Sequence, residues 1–260
     1  MSVGAIMLRT LQCVLGWTVL VSLMIFCVKP TAARADVINI DFQPDEGAPP
    51  VMHGQAGYPG DAGLWNDIND NNTGLNAGPG HDHPVALFNS AGLPTNATIR
   101  VTGAGGFNDQ GIQSLVAQPT DLMRDYVYDG AFTGQVGTYT LAGLVPGNTY
   151  DLYLYGSNAT FNSGALFTIG NVSEGTNGSQ VANRSLIQGD DFVVFAGVSA
   201  DVNGQIVITH GNNPAHSNGT TPLNGLQLIG AISVPEPSSL VLALIAAAGV
   251  IMAVAEGRET

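Results

Sequence analysis

The segment Tyr150-Asp151-Leu152-Tyr153-Leu154-Tyr155 alternates along its length between two sets of side chains. Successive side chains of a β-strand point to opposite faces of the sheet, so alternate residues share a face. A strand here divides the six side chains into two groups: Tyr150, Leu152 and Leu154 on one face, and Asp151, Tyr153 and Tyr155 on the other. The segment therefore predicts a β-strand with at least one buried face.

Other short segments carry the same signal and are separated by turns rich in Gly, Asn and Pro. They are residues 37–42, 98–102, 137–141, 165–169, 192–195, 205–209 and 226–229. In the first of them, Ile38, Ile40 and Phe42 alternate with Asn39 and Asp41. About eight short strands joined by turns are typical of a sandwich or jelly roll. We therefore predict an all-β fold, a single jelly-roll-like β-sandwich over residues 36–233, in which only residues 121–128 form a helical turn.

The charge balance excludes one large class of function. The 260 residues carry 7 Lys and Arg against 20 Asp and Glu, a net charge of −13. Between residues 36 and 234 the cations are Arg100, Arg124 and Arg184. So acidic a chain cannot replace the counterions of a phosphate backbone, and nucleic-acid binding is not expected. Both cysteines lie within the first 35 residues, so the body can form no disulfide.

Residues 1–35 have the features of a secretory signal peptide. An apolar stretch over residues 11–28 is followed by Ala33 and Ala35, the small side chains that signal peptidase reads before its cleavage site. We predict export with cleavage after Ala35. An uncleaved membrane anchor is the alternative.

The C-terminal segment, residues 234–260, combines a short polar motif with an apolar run. Pro235, Glu236 and Pro237 precede a stretch that predicts a membrane helix over residues 238–255. The combination resembles the PEP-CTERM sorting signal of planctomycete-type bacterial proteins, which are handed to an exosortase, a membrane enzyme that processes this motif.

The resemblance implies a cellular location for the protein and a processing enzyme as its partner. The protein is expected on the outer surface or in the extracellular matrix of a Gram-negative-type bacterium, anchored by its C-terminal helix until an exosortase-type enzyme processes it. The tail departs from the family, whose tail is usually an arginine cluster, because Arg258 stands between Glu256 and Glu259. A plain C-terminal membrane anchor is the alternative.

Four short motifs are spread over the body of the chain. They are residues 38–42 (Ile-Asn-Ile-Asp-Phe), 64–66 (Leu-Trp-Asn), 143–155 and 224–228 (Asn-Gly-Leu-Gln-Leu). These motifs resemble landmarks of PEP-CTERM proteins whose body is similar to galactose-binding-like and malectin-like β-sandwiches. The resemblance implies a sandwich body and polysaccharide as its ligand.

The long segment 43–84 holds the predicted ligand-binding residues. A loop of this length is typically functional or disordered, and the presence of Trp65 favours order. Sugars stack their C–H faces on aromatic rings, and amides bind their hydroxyl groups. We therefore predict that Trp65, Tyr58 and Asn66 bind the ligand. Further aromatic candidates are Tyr126, Tyr128, Tyr153 and Tyr155, of which the last two fit a core role better.

The same segment contains a candidate calcium site. Asp67, Asn69 and Asn71 place carboxylate and amide oxygens at alternate positions, and oxygen is the ligand atom that Ca²⁺ prefers. The spacing is not that of an EF-hand, because Asn72 and Gly78 stand where Gly and Glu are required. A loop closed by Asx turns is the alternative.

No local motif of the chain indicates catalysis. The sequence contains no Gly-x-Ser-x-Gly and no His-Glu-x-x-His, and between residues 36 and 234 the glutamates are Glu46 and Glu174. We therefore predict a non-enzymatic cell-surface or matrix protein that binds polysaccharide. The alternative is a carbohydrate-active envelope hydrolase or lyase that uses Asp side chains.

Overall fold

The computed structural model describes residues 36–42, 63–73, 83–108, 122–123, 125–129, 136–158, 163–178, 186–216 and 221–233. Several predicted features lie outside these residues: the signal peptide with Ala33 and Ala35, Tyr58, the motif Pro235-Glu236-Pro237 and the helix 238–255. Within the described ranges, no helix has the length and apolar character needed to cross a membrane.

The described residues form short strands in three sheets. The strands are β1 (Asp36–Phe42), β2 (Trp65–Ile68), β3 (Val85–Phe88), β4 (Pro94–Thr102), β5 (Ala104–Asn108), β6 (Tyr126–Asp129), β7 (Gly137–Ala142), β8 (Thr149–Tyr155), β9 (Ser157–Asn158), β10 (Ser163–Ile169), β11 (Val172–Gly175), β12 (Phe192–Ser199), β13 (Ile206–Asn212), β14 (Pro222–Leu223) and β15 (Gly225–Gly230). A short helix, α1 (Asp70–Thr73), follows β2.

The first sheet has five strands in the order β12-β8-β15-β1-β2. Its neighbouring strands are antiparallel except for the parallel pair β1 and β2. The pairing register aligns alternate residues into rows, and two apolar rows cross one face. They are Phe195-Leu152-Leu228-Ile38 and Val193-Leu154-Leu226-Ile40, all buried.

The second sheet is antiparallel in the order β11-β10-β13-β7-β4-β3, with β9 paired to β10. Its inward side chains join those of the five-stranded sheet in one core: Ile99, Val101, Tyr139, Leu141, Ala165, Phe167, Ile206 and Ile208. The rings of Phe42 in β1 and Tyr139 in β7 meet edge to face across the two sheets, with centroids 5.5 Å apart. Burial of two facing apolar surfaces is what holds a sandwich together.

The third sheet has the order β14-β6-β5 and corrects one prediction. Residues 121–128 were expected to form a helical turn, but only Leu122 and Met123 are helical among those described, and β6 begins at Tyr126. Tyr126 and Val127 are buried, and β6 pairs with β5. Pairing and burial therefore decide the conformation of this segment over its local preference.

The all-β, sandwich-like prediction is confirmed, and each segment predicted as a strand overlaps one. The strands that the sequence pattern did not indicate are short: β2, β3, β5, β6, β9, β11 and β14 have between 2 and 5 residues. These segments show no regular alternation of apolar and polar side chains, so the strands depend on their neighbours in the sheet.

Candidate functional site

Trp65 lies in strand β2 and not in a loop, which corrects its expected setting. It stands beside Asn39 in the parallel pairing of β2 with β1. Its ring packs in a second apolar cluster that includes Leu122 and Met123, and only 9% of the residue is exposed. In this structure Trp65 is therefore a packing residue and not an exposed stacking platform. A direct contact between Trp65 and a ligand stays a prediction.

Asn66 ties strand β2 to its neighbours through its side chain. Its Nδ2 donates hydrogen bonds to the carbonyl oxygens of Asn39 and Phe88, both at 2.8 Å. Its Oδ1 accepts a hydrogen bond from the backbone N–H of Phe88, also at 2.8 Å. Both amide donors and the amide oxygen are thus engaged in joining three strands. The structure gives Asn66 this architectural role, and its predicted ligand contact stays a prediction.

The candidate calcium ligands lie at the end of β2 and in the first turn of α1. Asn69 and Asn72 cap the helix reciprocally, because each side-chain oxygen accepts the other's backbone N–H, at 3.0 and 2.9 Å. Asn69 also donates to Oδ2 of Asp67 at 3.1 Å, and Asn71 is exposed. Among the described residues no group of three or more His, Cys, Asp or Glu gathers as a metal site. These hydrogen bonds form a loop closed by Asx turns, which was the alternative to a calcium site. The calcium site stays a prediction.

The outer face of the five-stranded sheet carries buried polar side chains. Asn39 and Gln227 are completely buried, and Nε2 of Gln227 donates to Oδ1 of Asn39 at 2.8 Å. The hydroxyl of Tyr155 donates to Oε1 of Gln227, and Nδ2 of Asn39 donates to the carbonyl oxygen of Leu64 at 3.0 Å. Alternation placed Asn39 and Asp41 on this face correctly, but a further layer covers both of them.

Tyr153 and Tyr155 differ in burial on this outer face. Tyr155 is completely buried in the second apolar cluster, which confirms the preference for a core role. Tyr153 is half-buried, and its ring stacks on that of Phe192 with centroids 5.9 Å apart and planes 28° apart. In the pairing of β8 with β12, Tyr153 stands beside Val194. Tyr153 therefore offers a fixed, partly exposed aromatic ring next to the edge strand β12.

An open groove of about 580 Å³ runs along β12 at the edge of the sandwich. Its walls come from β12 and from the adjoining ends of β10, β11 and β13. The side chains that give it chemical character are Val172, Glu174, Val194, Ser199, Gln205 and Val207. Val194, the register partner of Tyr153, lines the groove, whereas Tyr153 itself is not among the lining residues. Its volume is in the range typical of small-ligand sites.

A β-bulge in β12 forms one wall of the groove. The pairing of β12 with β8 shifts register between Phe195 and Val198, so that the two residues Ala196 and Gly197 stand against the single residue Asp151 of β8. Gly197 has a φ of 67° there, and its N–H donates to Oδ1 of Asp151 at 2.8 Å. A bulge at a sheet edge bends the strand and interrupts a regular edge that another strand could pair with.

The charged side chains in the groove are acidic. Glu174 and Asp201 are both exposed, and no Lys or Arg occurs among the described residues that line it. Oδ1 of Asp201 accepts the backbone N–H groups of Asn203 and Gln205, both at 2.8 Å, which fixes a turn between β12 and β13. The groove therefore disfavours anionic ligands.

The groove residues were missed by sequence reasoning. They come from three separated segments, residues 169–174, 194–201 and 205–207, and none contains a recognisable motif. Glu174 is one of the two glutamates between residues 36 and 234, but no signal in the sequence places it in one groove with Asp201.

No protein-family model matches the chain, and no curated protein matches it. Among solved structures it is similar to the Podospora anserina GH26-CBM35 β-(1,4)-mannanase, at 17% identity over 55% of this chain and 29% of that chain, with a TM-score of 0.31. It is similar to the Arthrobacter globiformis T6 isomalto-dextranase complexed with panose, at 20% identity over 56% and 22% of the two chains, with a TM-score of 0.29. The third is TmCBM61 in complex with β-1,4-galactotriose, at 9% identity over 52% and 86%, with a TM-score of 0.25.

Two of these three structures include a carbohydrate-binding module. The chain spans less than a third of the length of the mannanase chain. At these TM-scores the likenesses carry no argument about a ligand or an activity of this chain.

Proposed function

We propose that the chain is an exported, non-enzymatic surface or matrix protein whose β-sandwich binds polysaccharide in the groove along β12. The observation that carries the proposal is the mixed chemistry of that groove. Valines and hydrogen-bonding side chains line one open volume of about 580 Å³.

The lining suits the two kinds of surface that a sugar ring presents. Val172, Val194 and Val207 supply apolar contacts for C–H faces, and the side chains of Ser199 and Gln205 supply donors and acceptors for hydroxyl groups. Tyr153, the register partner of Val194, places a half-buried aromatic ring on the adjoining strand β8.

The negative charge of the groove and of the chain limits the class of polysaccharide that can bind. Glu174 and Asp201 face a ligand in the groove, and the chain as a whole carries a net charge of −13. Polysaccharides with uronate, sulfate or phosphate groups would meet repulsion at close range. The expected ligand is therefore an uncharged polysaccharide.

The non-enzymatic part of the proposal rests on how the acidic groups are used. A glycosidase needs one carboxyl group as acid and a second as base or nucleophile. Asp201 already accepts two backbone N–H groups as part of a turn, which is a structural task. We expect no release of reducing ends from a bound polysaccharide, and their release would support the hydrolase alternative instead.

The binding test compares two valine substitutions of equal exposure in the full-length chain on an array of neutral and anionic polysaccharides. Val172 lines the groove and is 54% exposed, and Val136 lies outside its lining and is 53% exposed. Val172→Glu should weaken binding to a neutral polysaccharide by about tenfold or more, because a bulky charged side chain would fill the groove. Val136→Glu should bind like the wild-type chain. Equal binding by all three proteins would refute the groove as the site.

Export and sorting need a separate measurement. Mass spectrometry of the protein isolated from its native cells should show a chain that starts at Asp36 and ends near Pro235-Glu236-Pro237. Intact Met1 would overturn cleavage of the signal peptide, and an intact C-terminal helix would support the plain-anchor alternative.

A further inference from the structure

A row of hydroxyl side chains crosses the outer face of the second sheet. The pairing register places Thr102 of β4 beside Thr138 of β7, and Thr138 beside Thr209 of β13. The row continues from Thr209 to Thr168 of β10 and from there to Ser173 of β11. Five neighbouring strands thus each contribute one hydroxyl group, which we call the hydroxyl row.

The hydroxyl row faces away from the core. The residues next to its members in the chain point inward and are completely buried: Val101, Tyr139, Ile208 and Phe167. The four threonines are half-buried, and Ser173 is exposed. With strands about 4.8 Å apart, the row is about 19 Å long.

Two hydroxyl groups of the row form only weak contacts within the protein. The Oγ1 of Thr102 lies 3.5 Å from the carbonyl oxygen of Thr138, and the Oγ1 of Thr209 lies 3.4 Å from that of Thr168. Both distances exceed the roughly 2.5–3.0 Å of a normal O–H···O hydrogen bond. The hydroxyls of Thr168 and Ser173, 2.7 Å apart, form one at the exposed end of the row. The hydroxyl groups of Thr102 and Thr209 can therefore turn to a hydroxyl-rich ligand at little cost.

The row leads to the groove along β12. Ser173, at one end of the row, stands between Val172 and Glu174, which line the groove from the opposite face of the edge strand β11. Val207, two residues before Thr209 on the outward side of β13, lines it as well. The hydroxyl row and the groove therefore adjoin at the edge strand β11 and at Val207, and a ligand that occupies both has to pass over this edge.

We propose that the groove and the hydroxyl row bind one extended chain of uncharged polysaccharide, so that the protein recognises the length of a polymer and not only its end. The inference rests on the proposed function and specifies its ligand. None of the five residues of the row carries a charge, although the chain is strongly acidic. Hydroxyl groups repeated at the strand spacing complement a ligand whose own hydroxyl groups repeat along its length.

The test measures affinity against ligand length. The full-length chain is titrated with uncharged β-1,4-linked gluco-, manno- and galacto-oligosaccharides from disaccharide to octasaccharide, and with the corresponding polysaccharides. Affinity for the preferred sugar should rise steadily with length, because longer chains reach the hydroxyl row.

The double substitution Thr138→Val with Thr209→Val removes two hydroxyl groups and keeps the shape of both side chains. It should lower affinity for the octasaccharide by about tenfold and leave the disaccharide unchanged. Thr98→Val is the matched control, since Thr98 is also half-buried and outward on β4, but stands four residues, about 13 Å, from Thr102.

The outcomes separate the two proposals. If short and long oligosaccharides bind equally, or if Thr98→Val has the same effect as the double substitution, the hydroxyl row is not a binding surface and the groove proposal stands. If no oligosaccharide or polysaccharide binds to the folded wild-type chain, the proposed function itself fails. Tighter binding of an anionic polysaccharide would overturn the uncharged ligand class.

Discussion

Nδ1 of His210 lies 3.3 Å from the hydroxyl of Tyr139, inside the core between the two large sheets. The imidazole also stacks on the ring of Phe167, with centroids 5.4 Å apart. His210 is completely buried, and burial lowers its pKa from 6.5 to about 3, while backbone groups of Pro222 and Thr221 oppose the shift. The imidazole is therefore neutral in the folded protein across the physiological range.

The neutral state of His210 predicts how stability depends on pH. Between pH 6.5 and pH 3 the unfolded chain binds a proton on His210 that the folded chain does not, so the free energy of unfolding falls as pH falls. This one group should remove about 2 kcal/mol between pH 7 and pH 5. Urea unfolding of the wild-type chain and of His210→Gln at both pH values measures the difference. An equal loss in both proteins would contradict the assignment.

Two glycines of one turn region should respond very differently to alanine. Gly143 and Gly147 have nearly the same φ, 73° and 74°, so the backbone penalty is the same in both. A Cβ at Gly143 would lie 2.0 Å from the carbonyl oxygen of Asn96, whereas a Cβ at Gly147 meets nothing within 4 Å. Gly147→Ala should cost about 1 kcal/mol and Gly143→Ala several kcal/mol more, measured by thermal unfolding. Similar melting temperatures would show that the close contact relaxes freely.

The hydrogen bond from Tyr155 to Gln227 makes the outer face of the five-stranded sheet sensitive to loss of one hydroxyl. Tyr155→Phe leaves the buried Oε1 of Gln227 without this donor and should cost about 1–3 kcal/mol of unfolding free energy. Tyr128→Phe, at a half-buried position in β6, is the control and should change stability by less than about 0.5 kcal/mol. Equal losses of unfolding free energy in the two variants would mean that the hydrogen bond between Tyr155 and Gln227 adds no specific stability.

The three hydrogen bonds of Asn66 predict a structural phenotype for its removal. Asn66→Ala should lower the free energy of unfolding by about 3 kcal/mol, since each bond contributes about 1 kcal/mol. Asn71→Ala, at an exposed position, should have little effect. Chemical denaturation gives both values. If Asn66→Ala abolished polysaccharide binding without loss of stability, Asn66 would be a ligand residue as the sequence predicted.

The hydrogen bonds of Asp67 and Asn69 predict that calcium changes the melting temperature of the protein little. Oδ1 of Asn69 already accepts the N–H of Asn72, and Oδ2 of Asp67 accepts an N–H of Asn69, so an ion would compete with these hydrogen bonds for the same oxygens. We expect the same melting temperature with calcium and with a chelator. A rise of several degrees with calcium, lost in Asn69→Ala, would establish the site predicted from the sequence.

The sequence by itself determined the fold class and the charge. Alternation in segments such as residues 150–155 and 37–42 is a local property with a period of two, so it can be read from the chain without knowledge of its partners. The same is true of the net charge of −13, which limits ligands wherever the residues lie.

Only the tertiary structure decided which polar residues are buried and where a ligand has room. The sequence predicts Asn39 and Asp41 on the polar face of a strand and Trp65 in a loop. In the structure all three are buried, because a further layer covers the outer face of their sheet. The groove and the hydroxyl row join residues far apart in the chain, such as Thr138 and Thr209, which are register partners. Their proximity follows from strand order and register, which depend on contacts between distant segments and leave no pattern within any one of them.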